Sequence, residues 1–177
     1  MTYRTKIIVF FSSCLAMIGL DQVTKELARI YLRDKGSFSY FNDMFRWEYV
    51  ENTGAFLSLG STLPDWANIV LLSVLPSIVL LLVAYYVVKN MQHLPLGQML
   101  CFSGIIAGGV GNLIDRIFND RHVTDFMNMG IGSLRTGIFN VADVYIMFGM
   151  IIMLLFFRDT KIFTTEEAKI ESEQANP

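Results

Sequence analysis

Two aspartates are the residues of this sequence best placed to do chemistry together. Asp125 lies between apolar residues, and Asp143 lies in a long apolar segment with no cation within four positions. Two carboxylates held together at low dielectric cannot both ionise, so they share one proton near neutral pH. The ionised member can take a proton from water while the protonated one hydrogen-bonds a carbonyl. The alternatives are a protonated acid bonded to a neighbouring helix, or a group on an ion path.

Further polar residues lie near the ends of apolar segments. Placing a polar side chain at membrane depth costs free energy, which favours a functional role for it. Asp21 and Lys25 are four positions apart and so share a helix face, where they can pair within a site or form a structural ion pair. Arg116 never loses its proton, so we expect it to clamp a carboxylate or a carbonyl. The other members of this polar set are Asn112, Asp115 and Asn140.

Other kinds of catalytic site have little support. His93 and His122 lack the H-E-x-x-H spacing of zinc proteases, and neither a G-x-S-x-G turn nor a phosphate-binding P-loop occurs. Cys14 and Cys101 both lie in apolar runs, unlike a redox pair or zinc ligands. We therefore expect neither a metal nor a cofactor.

The composition predicts an integral membrane protein. Of 177 residues, 53% are hydrophobic and 17% charged, which is too apolar for a soluble domain of this size. The net charge of −2 gives no reason to expect a nucleic-acid partner. Four segments approach the ~20 residues that a transmembrane helix needs: residues 7–32, 67–88, 96–116 and 138–157.

The first apolar segment could instead be a cleaved signal peptide, because Arg4 and Lys6 precede it. It continues past Cys14 to Leu20, so we expect a retained helix. Four spans would place both termini on one side of the membrane. The cations divide nearly evenly between the two sides, so the positive-inside rule does not fix the orientation.

The connections between the spans predict the remaining structure. Residues 45–49 alternate apolar and charged side chains, which is typical of a half-buried strand, so we expect a small antiparallel sheet between spans one and two. In span three, Gly104, Gly108 and Gly111 recur at helical spacing, which favours close helix packing. We expect one membrane-embedded domain over residues 1–160, followed by a polar tail over residues 161–177.

Five short motifs occur in order and at consistent places relative to the four spans. They are DQVTK from Asp21, ENTGAF from Glu51, GGVGNLIDR from Gly108, VTDF from Val123 and FNVAD from Phe139. Together they closely resemble the bacterial lipoprotein signal peptidases (signal peptidase II), a family of membrane aspartyl proteases. The resemblance covers roughly residues 7–157. Two positions depart from the family pattern, Phe56-Leu57 and Ala107, and both keep apolar or small character.

The resemblance implies roles for particular residues. Asp125 and Asp143 match the two catalytic aspartates of the family. Further positions match those that line or support the site: Asp21, Lys25, Asn52, Gly54, Gly108, Asn112, Arg116, Asn140 and Ala142.

The resemblance also implies an activity and a location. The family hydrolyses the peptide bond on the amino side of a diacylglyceryl-modified cysteine, which removes the signal peptide of a pro-lipoprotein. It implies the bacterial inner membrane, cytoplasmic termini, a site and sheet on the outer face, lipid as a partner, and a monomer. The competing interpretations are a small ion-coupled carrier, which four spans without two matching halves disfavour, and a non-enzymatic membrane scaffold.

Overall fold

The computed structural model describes residues 1–54 and 63–156. In these ranges the helices are α1 (Tyr3–Tyr31), α2 (Asp65–Asn90), α3 (Leu96–Phe118) and α4 (Val141–Phe156). The strands are β1 (Phe38–Tyr40), β2 (Phe45–Asn52), β3 (Val123–Ile131) and β4 (Leu134–Arg135). The predicted tail over residues 161–177 lies outside the described residues.

Three of these helices are long and apolar enough to cross a membrane, which confirms a membrane protein at that level. They are α1, α2 and α3, with lengths of 29, 26 and 23 residues. Helix α4 is apolar but has 16 described residues, and it begins at Val141 instead of the predicted residue 138. This later start places Asp143 in the first turn of α4, nearer the beginning of the helix than a span starting at residue 138 implies.

The sheet is larger than the sequence predicted. Its four strands are antiparallel in the order β1-β2-β3-β4. Strands β1 and β2 lie between α1 and α2 as expected, but β3 and β4 come from the connection between α3 and α4. Trp47 of β2 stacks on Phe126 of β3 with ring centroids 5.9 Å apart. The sheet therefore joins the two long connections into one platform.

Helix α2 carries a π-helical segment at Val70–Val74. Pro76 follows it and has no N–H to donate to the carbonyl one turn back, which disfavours a regular α-helix here. The Ser77 hydroxyl donates to the carbonyl of Ser73, one turn back along the helix, over 2.7 Å.

Lys6, near the start of α1, binds the connection between α2 and α3. Its ammonium donates to the backbone carbonyls of Met91, Gln92 and Leu94 over 3.1, 2.9 and 2.7 Å. These carbonyls belong to the connection that follows α2. The first turn of α1 and the α2–α3 connection therefore lie together, at the far end of α1 from the sheet.

Helix α3 is the central element because glycines let α4 approach its backbone. A Cβ added at Gly108 would collide with the carbonyl oxygen of Ala142 and lie 2.7 Å from Ile146 Cγ1. At Gly104 the added Cβ would lie 3.4 Å from the carbonyl oxygen of Tyr145. The close helix packing predicted from the glycine spacing is therefore present, and it holds the start of α4 against α3.

Replacing Gly108 by Ala is expected to destabilise the protein by about 1–3 kcal/mol, the usual cost of overpacking an interior. The measurement is the free energy of unfolding of the purified protein in detergent. Gly19→Ala is the matched control, because a Cβ at Gly19 meets no atom within 4 Å. A Gly108→Ala variant as stable as the Gly19→Ala variant would contradict the close approach of α3 and α4.

Candidate active site

Asp143 is held by reciprocal hydrogen bonds at the start of α4. The Asn140 side chain accepts the backbone N–H of Asp143 over 3.1 Å, and Asp143 Oδ2 accepts the backbone N–H of Asn140 over 3.0 Å. This is the capping-box arrangement, in which two residues three apart satisfy each other's backbone donors. The N-terminus of a helix also stabilises a carboxylate. The position of Asp143 is therefore fixed by the local sequence.

Asp125 reaches the same place from the sheet. It lies on β3, is 3% exposed, and pairs across the ladder with Val50 of β2. Its Oδ2 accepts Asn52 Nδ2 over 3.0 Å, and its Oδ1 accepts Asn140 Nδ2 over 2.7 Å. Asn140 thus binds Asp125 with its side chain and Asp143 with its backbone. One residue brings the two aspartates together.

Asn112, on α3, completes the frame around these carboxylates. Its Nδ2 donates to Asp143 Oδ1 over 2.9 Å, and its Oδ1 accepts Asn140 Nδ2 over 3.1 Å. The same oxygen accepts Lys25 Nζ over 2.9 Å. Helices α1, α3 and α4 and strand β3 therefore converge on one polar cluster.

Asp21 and Lys25 form the buried side of this cluster. Both side chains are fully buried, and Lys25 Nζ lies 3.0 Å from Asp21 Oδ2. Asp21 Oδ1 accepts the backbone N–H of Ala142 over 2.9 Å, so it caps the start of α4. Gly111 makes room for it, since a Cβ there would collide with Asp21 Oδ2. The predicted i, i+4 pair is present and supports the helix that carries Asp143.

Arg116 and Gly54 meet at the edge of the site. Arg116 donates to the backbone carbonyl of Gly54 over 3.0 Å, which is one of the two kinds of partner expected for it. The Gly54 N–H donates to Asn52 Oδ1 over 2.9 Å. These contacts fix the chain as it leaves β2. Residues 55–62, which include the remainder of the ENTGAF motif, lie outside the described residues.

Asp115 belongs to the polar set predicted near the ends of the spans, but it was not among the predicted site residues. It is 2% exposed, and its Oδ2 lies 3.3 Å from Lys25 Nζ. The same oxygen accepts the backbone N–H of Thr124 over 2.9 Å. The signal was available, because Asp115 lies three positions after Asn112 and so shares its helix face. Arg29 lies four positions after Lys25 and so shares its helix face, and it contacts Asp115 at 3.4 Å. This spacing could have placed Arg29 at the site, but Arg29 was not predicted there.

A mostly apolar groove opens beside the two aspartates, with a volume of about 600 Å³. Asp125 and Asp143 both line it, together with Asn52, Gly54, Asn112 and Arg116. Apolar side chains from α2 and α4 form much of its wall, among them Leu72, Pro76, Val144, Met147 and Met150. Polar groups that converge on an apolar cleft are typical of a ligand site.

The electrostatics of Asp125 differ from those of an ordinary surface aspartate. Burial raises its pKa to about 7, and the nearby Asp143 carboxylate adds to the rise. Hydrogen bonds from Asn52 and Asn140 and the charge of Lys25 lower the pKa but do not cancel the effect of burial. A carboxyl group that keeps its proton near neutral pH can act as an acid there.

Residues 13–158 match the sequence model of the family described as Signal peptidase (SPase) II. The chain belongs to the signal peptidase II family. Its relatives include the lipoprotein signal peptidase of Borreliella burgdorferi (strain ZS7), 36% identical over 152 residues that cover 82% of this chain and 87% of that protein. The lipoprotein signal peptidase of Chlorobium phaeovibrioides (strain DSM 265 / 1930) is 36% identical over 157 residues, or 84% and 89% of the two chains.

A solved structure shares the fold of this chain. A bacterial membrane enzyme matches with a TM-score of 0.74 and 26% identity, covering 87% of this chain and 90% of that chain. The resemblance read from the five motifs is therefore confirmed at the level of the family. Signal peptidases hydrolyse peptide bonds, so this chain is a protease. The catalytic and supporting roles of the individual residues stay predictions.

Proposed function

We propose that this chain is a membrane aspartyl endopeptidase that removes the signal peptide from pro-lipoproteins. It would hydrolyse the peptide bond on the amino side of a diacylglyceryl-modified cysteine, with Asp125 and Asp143 activating water. The observation that carries the proposal is that Asn140 hydrogen-bonds both carboxylates, 2.7 Å from Asp125 and 3.0 Å from Asp143, beside an apolar groove. We infer a lipoprotein substrate because the relatives are lipoprotein signal peptidases.

The two aspartates take complementary roles in this mechanism. Asp143 accepts N–H bonds at a helix N-terminus, which stabilises its anion, so it acts as the base toward water. Asp125, with its raised pKa, holds the shared proton and donates it to the scissile carbonyl. The base takes a proton from the water as the water oxygen bonds the carbonyl carbon. That proton then passes to the leaving amine as the C–N bond breaks, and the Asp125 carboxylate takes its proton back from a hydroxyl of the tetrahedral intermediate.

Arg116 supports this chemistry by binding the substrate chain. It lines the groove, and its Nε finds no acceptor within the part of the chain that the structure describes. A guanidinium that lines the groove can donate to a backbone carbonyl of the extended substrate, which holds the scissile bond against the aspartates. No metal or cofactor takes part in any of these steps.

The same proposal sets the arrangement in the membrane. Residues 1–160 form one domain with four spans, α4 being the fourth, and residues 161–177 form a polar tail. The termini lie in the cytoplasm, and the sheet and aspartates lie at the outer face of the bacterial inner membrane. An acyl-chain substrate then enters the groove from the lipid, while water reaches the aspartates at the interface. The chain works as a monomer.

The test is cleavage of a synthetic precursor peptide by the purified protein in detergent with a chelator present. We expect one cut, immediately before a cysteine carrying a diacylglyceryl group, identified by mass spectrometry. The same peptide without the lipid is the control and is expected to stay intact. A carrier or a scaffold would release no shorter product. Equal cleavage of both peptides, or of neither, would reject the proposal.

The pH dependence of turnover follows from the raised pKa of Asp125. Below about pH 7 this carboxyl keeps its proton, whereas at higher pH both carboxylates become anions and the acid is lost. We expect kcat to fall about tenfold for each pH unit above the apparent pKa of the pair. The measurement is kcat from pH 5 to 9 at saturating lipidated peptide. A rate that is flat from pH 7 to 9 would contradict the shared proton.

A further inference from the structure

Asp115 lies next to the two aspartates' polar cluster, but it is not among the described residues that line the groove. We infer that Asp115 is a positioning residue whose single carboxylate sets the placement of both Asp125 and Asp143. This inference rests on the proposed function, since it assigns Asp115 a part in the same hydrolysis. Two chains of contacts run from Asp115, one into β3 and one across α3 to α4.

The first chain of contacts fixes the start of β3. Asp115 Oδ2 accepts the backbone N–H of Thr124 over 2.9 Å, and Thr124 directly precedes Asp125. The Thr124 hydroxyl accepts Arg29 through two nitrogens, over 2.9 and 3.2 Å, and Arg29 also contacts Asp115. Thr124 is fully buried. The residue before Asp125 is thereby held by its backbone and its side chain.

The second chain of contacts fixes the amide of Asn112. Lys25 Nζ lies 3.3 Å from Asp115 Oδ2 and 3.0 Å from Asp21 Oδ2. It also donates to Asn112 Oδ1 over 2.9 Å. An ammonium can only donate, so Asn112 must turn its oxygen toward Lys25 and its NH₂ toward Asp143. Asp115 holds Lys25 in place and so determines which end of Asn112 faces Asp143.

The charge of Asp115 also acts on the site. Lys25 lies between the buried carboxylates of Asp21 and Asp115, while the partly exposed Arg29 pairs with both Asp115 and the exposed Glu26. Removing the Asp115 charge would make this group of charges more positive by one unit, which is an excess of positive charge near Asp125 relative to the wild type. The other charged groups that act on Asp125 are Asp143 on α4 and Arg116 on α3, while Glu51 on β2 is paired with Arg33. The excess charge would favour the doubly ionised pair.

Two substitutions separate these effects. Asp115→Asn keeps an acceptor for Thr124 and removes the charge. Asp115→Glu keeps the charge and displaces the carboxylate by one methylene. For both we expect kcat for the lipidated peptide to fall about 10- to 100-fold, the cost of a small misplacement, with KM within about threefold. Only in Asp115→Asn should the alkaline limb of the kcat profile move to lower pH.

Glu26→Gln is the matched control, because Glu26 is an exposed acid that also pairs with Arg29 and lies outside both chains of contacts. It should leave kcat and the pH profile unchanged. Rates are normalised to the folded fraction, measured by thermal unfolding. A folded Asp115→Asn variant with wild-type kcat, or with reduced kcat and an unmoved alkaline limb, would overturn the inference.

A second measurement does not depend on the proposed function. Hydrogen exchange at the Thr124 and Asp125 amides should be faster in Asp115→Glu than in the wild type while exchange in α1 stays unchanged. Unchanged exchange at Thr124 would also overturn the inference. If the wild type fails to cut the lipidated peptide, the proposed function fails, and the exchange result still decides the role of Asp115.

Discussion

Asp125→Asn and Asp143→Asn are each expected to reduce kcat by about 10²- to 10⁴-fold, the usual contribution of a positioned proton-transfer group. An amide has nearly the shape of a carboxyl group but cannot take a proton from water. The substituted site would still bind the peptide, because the groove keeps its apolar walls. The measurement is single-turnover cleavage of the lipidated precursor peptide.

Asp120→Asn is the control for this pair. Asp120 is exposed, lies in the turn before β3 and has φ of 46°, a conformation that asparagine also tolerates. The variant should keep wild-type activity, and all three variants should unfold at temperatures similar to the wild type. Turnover above about one-tenth of wild type in either dyad variant would remove that aspartate from the chemistry.

The second large effect is on stability and comes from Lys25. Replacing Lys25 by Met would leave Asp21 and Asp115 buried without the ammonium that lies between them. Breaking a buried ion pair by removing one partner costs about 3–5 kcal/mol, because the remaining charge keeps its desolvation penalty. The measurement is the free energy of unfolding in detergent.

Lys89→Met is the matched control for Lys25→Met. Lys89 is exposed near the end of α2 and contacts only the ring of Tyr85 among the interactions described for it, at 5.7 Å. Its removal should change the free energy of unfolding by less than about 0.5 kcal/mol, as is usual for surface substitutions. Equal effects of the two substitutions would mean that the Asp21–Lys25–Asp115 cluster does not hold α1 and α3 together.

The helices could be predicted from the sequence because long apolar runs have few other solutions. The predicted spans 7–32, 67–88 and 96–116 overlap α1, α2 and α3 throughout almost their whole lengths. Strand β3 was missed because its first four residues are all buried, so the period-two alternation that marks a half-buried strand is absent. Strand β2, whose residues are all half-buried, gave that signal.

The start of α4 was misplaced for a different reason. Apolar residues begin at Ile138, and hydropathy alone counts them as part of the helix. The capping pattern of Asn140 and Asp143 marks the true start, because the two residues are three positions apart. The contacts of Arg29 with Thr124 join residues 95 positions apart and depend on the sheet packing under α1. No local pattern reports such a pair.

The most direct test of the shared proton is an infrared titration of the purified protein near neutral pH. We expect a band from one protonated carboxyl group that disappears as the pH rises through about 7. The band should be absent in Asp125→Asn and move to lower pH in Asp143→Asn, where the neighbouring charge is gone. A band that neither substitution alters, or no protonated carboxyl at pH 6, would show that Asp125 and Asp143 do not share a proton.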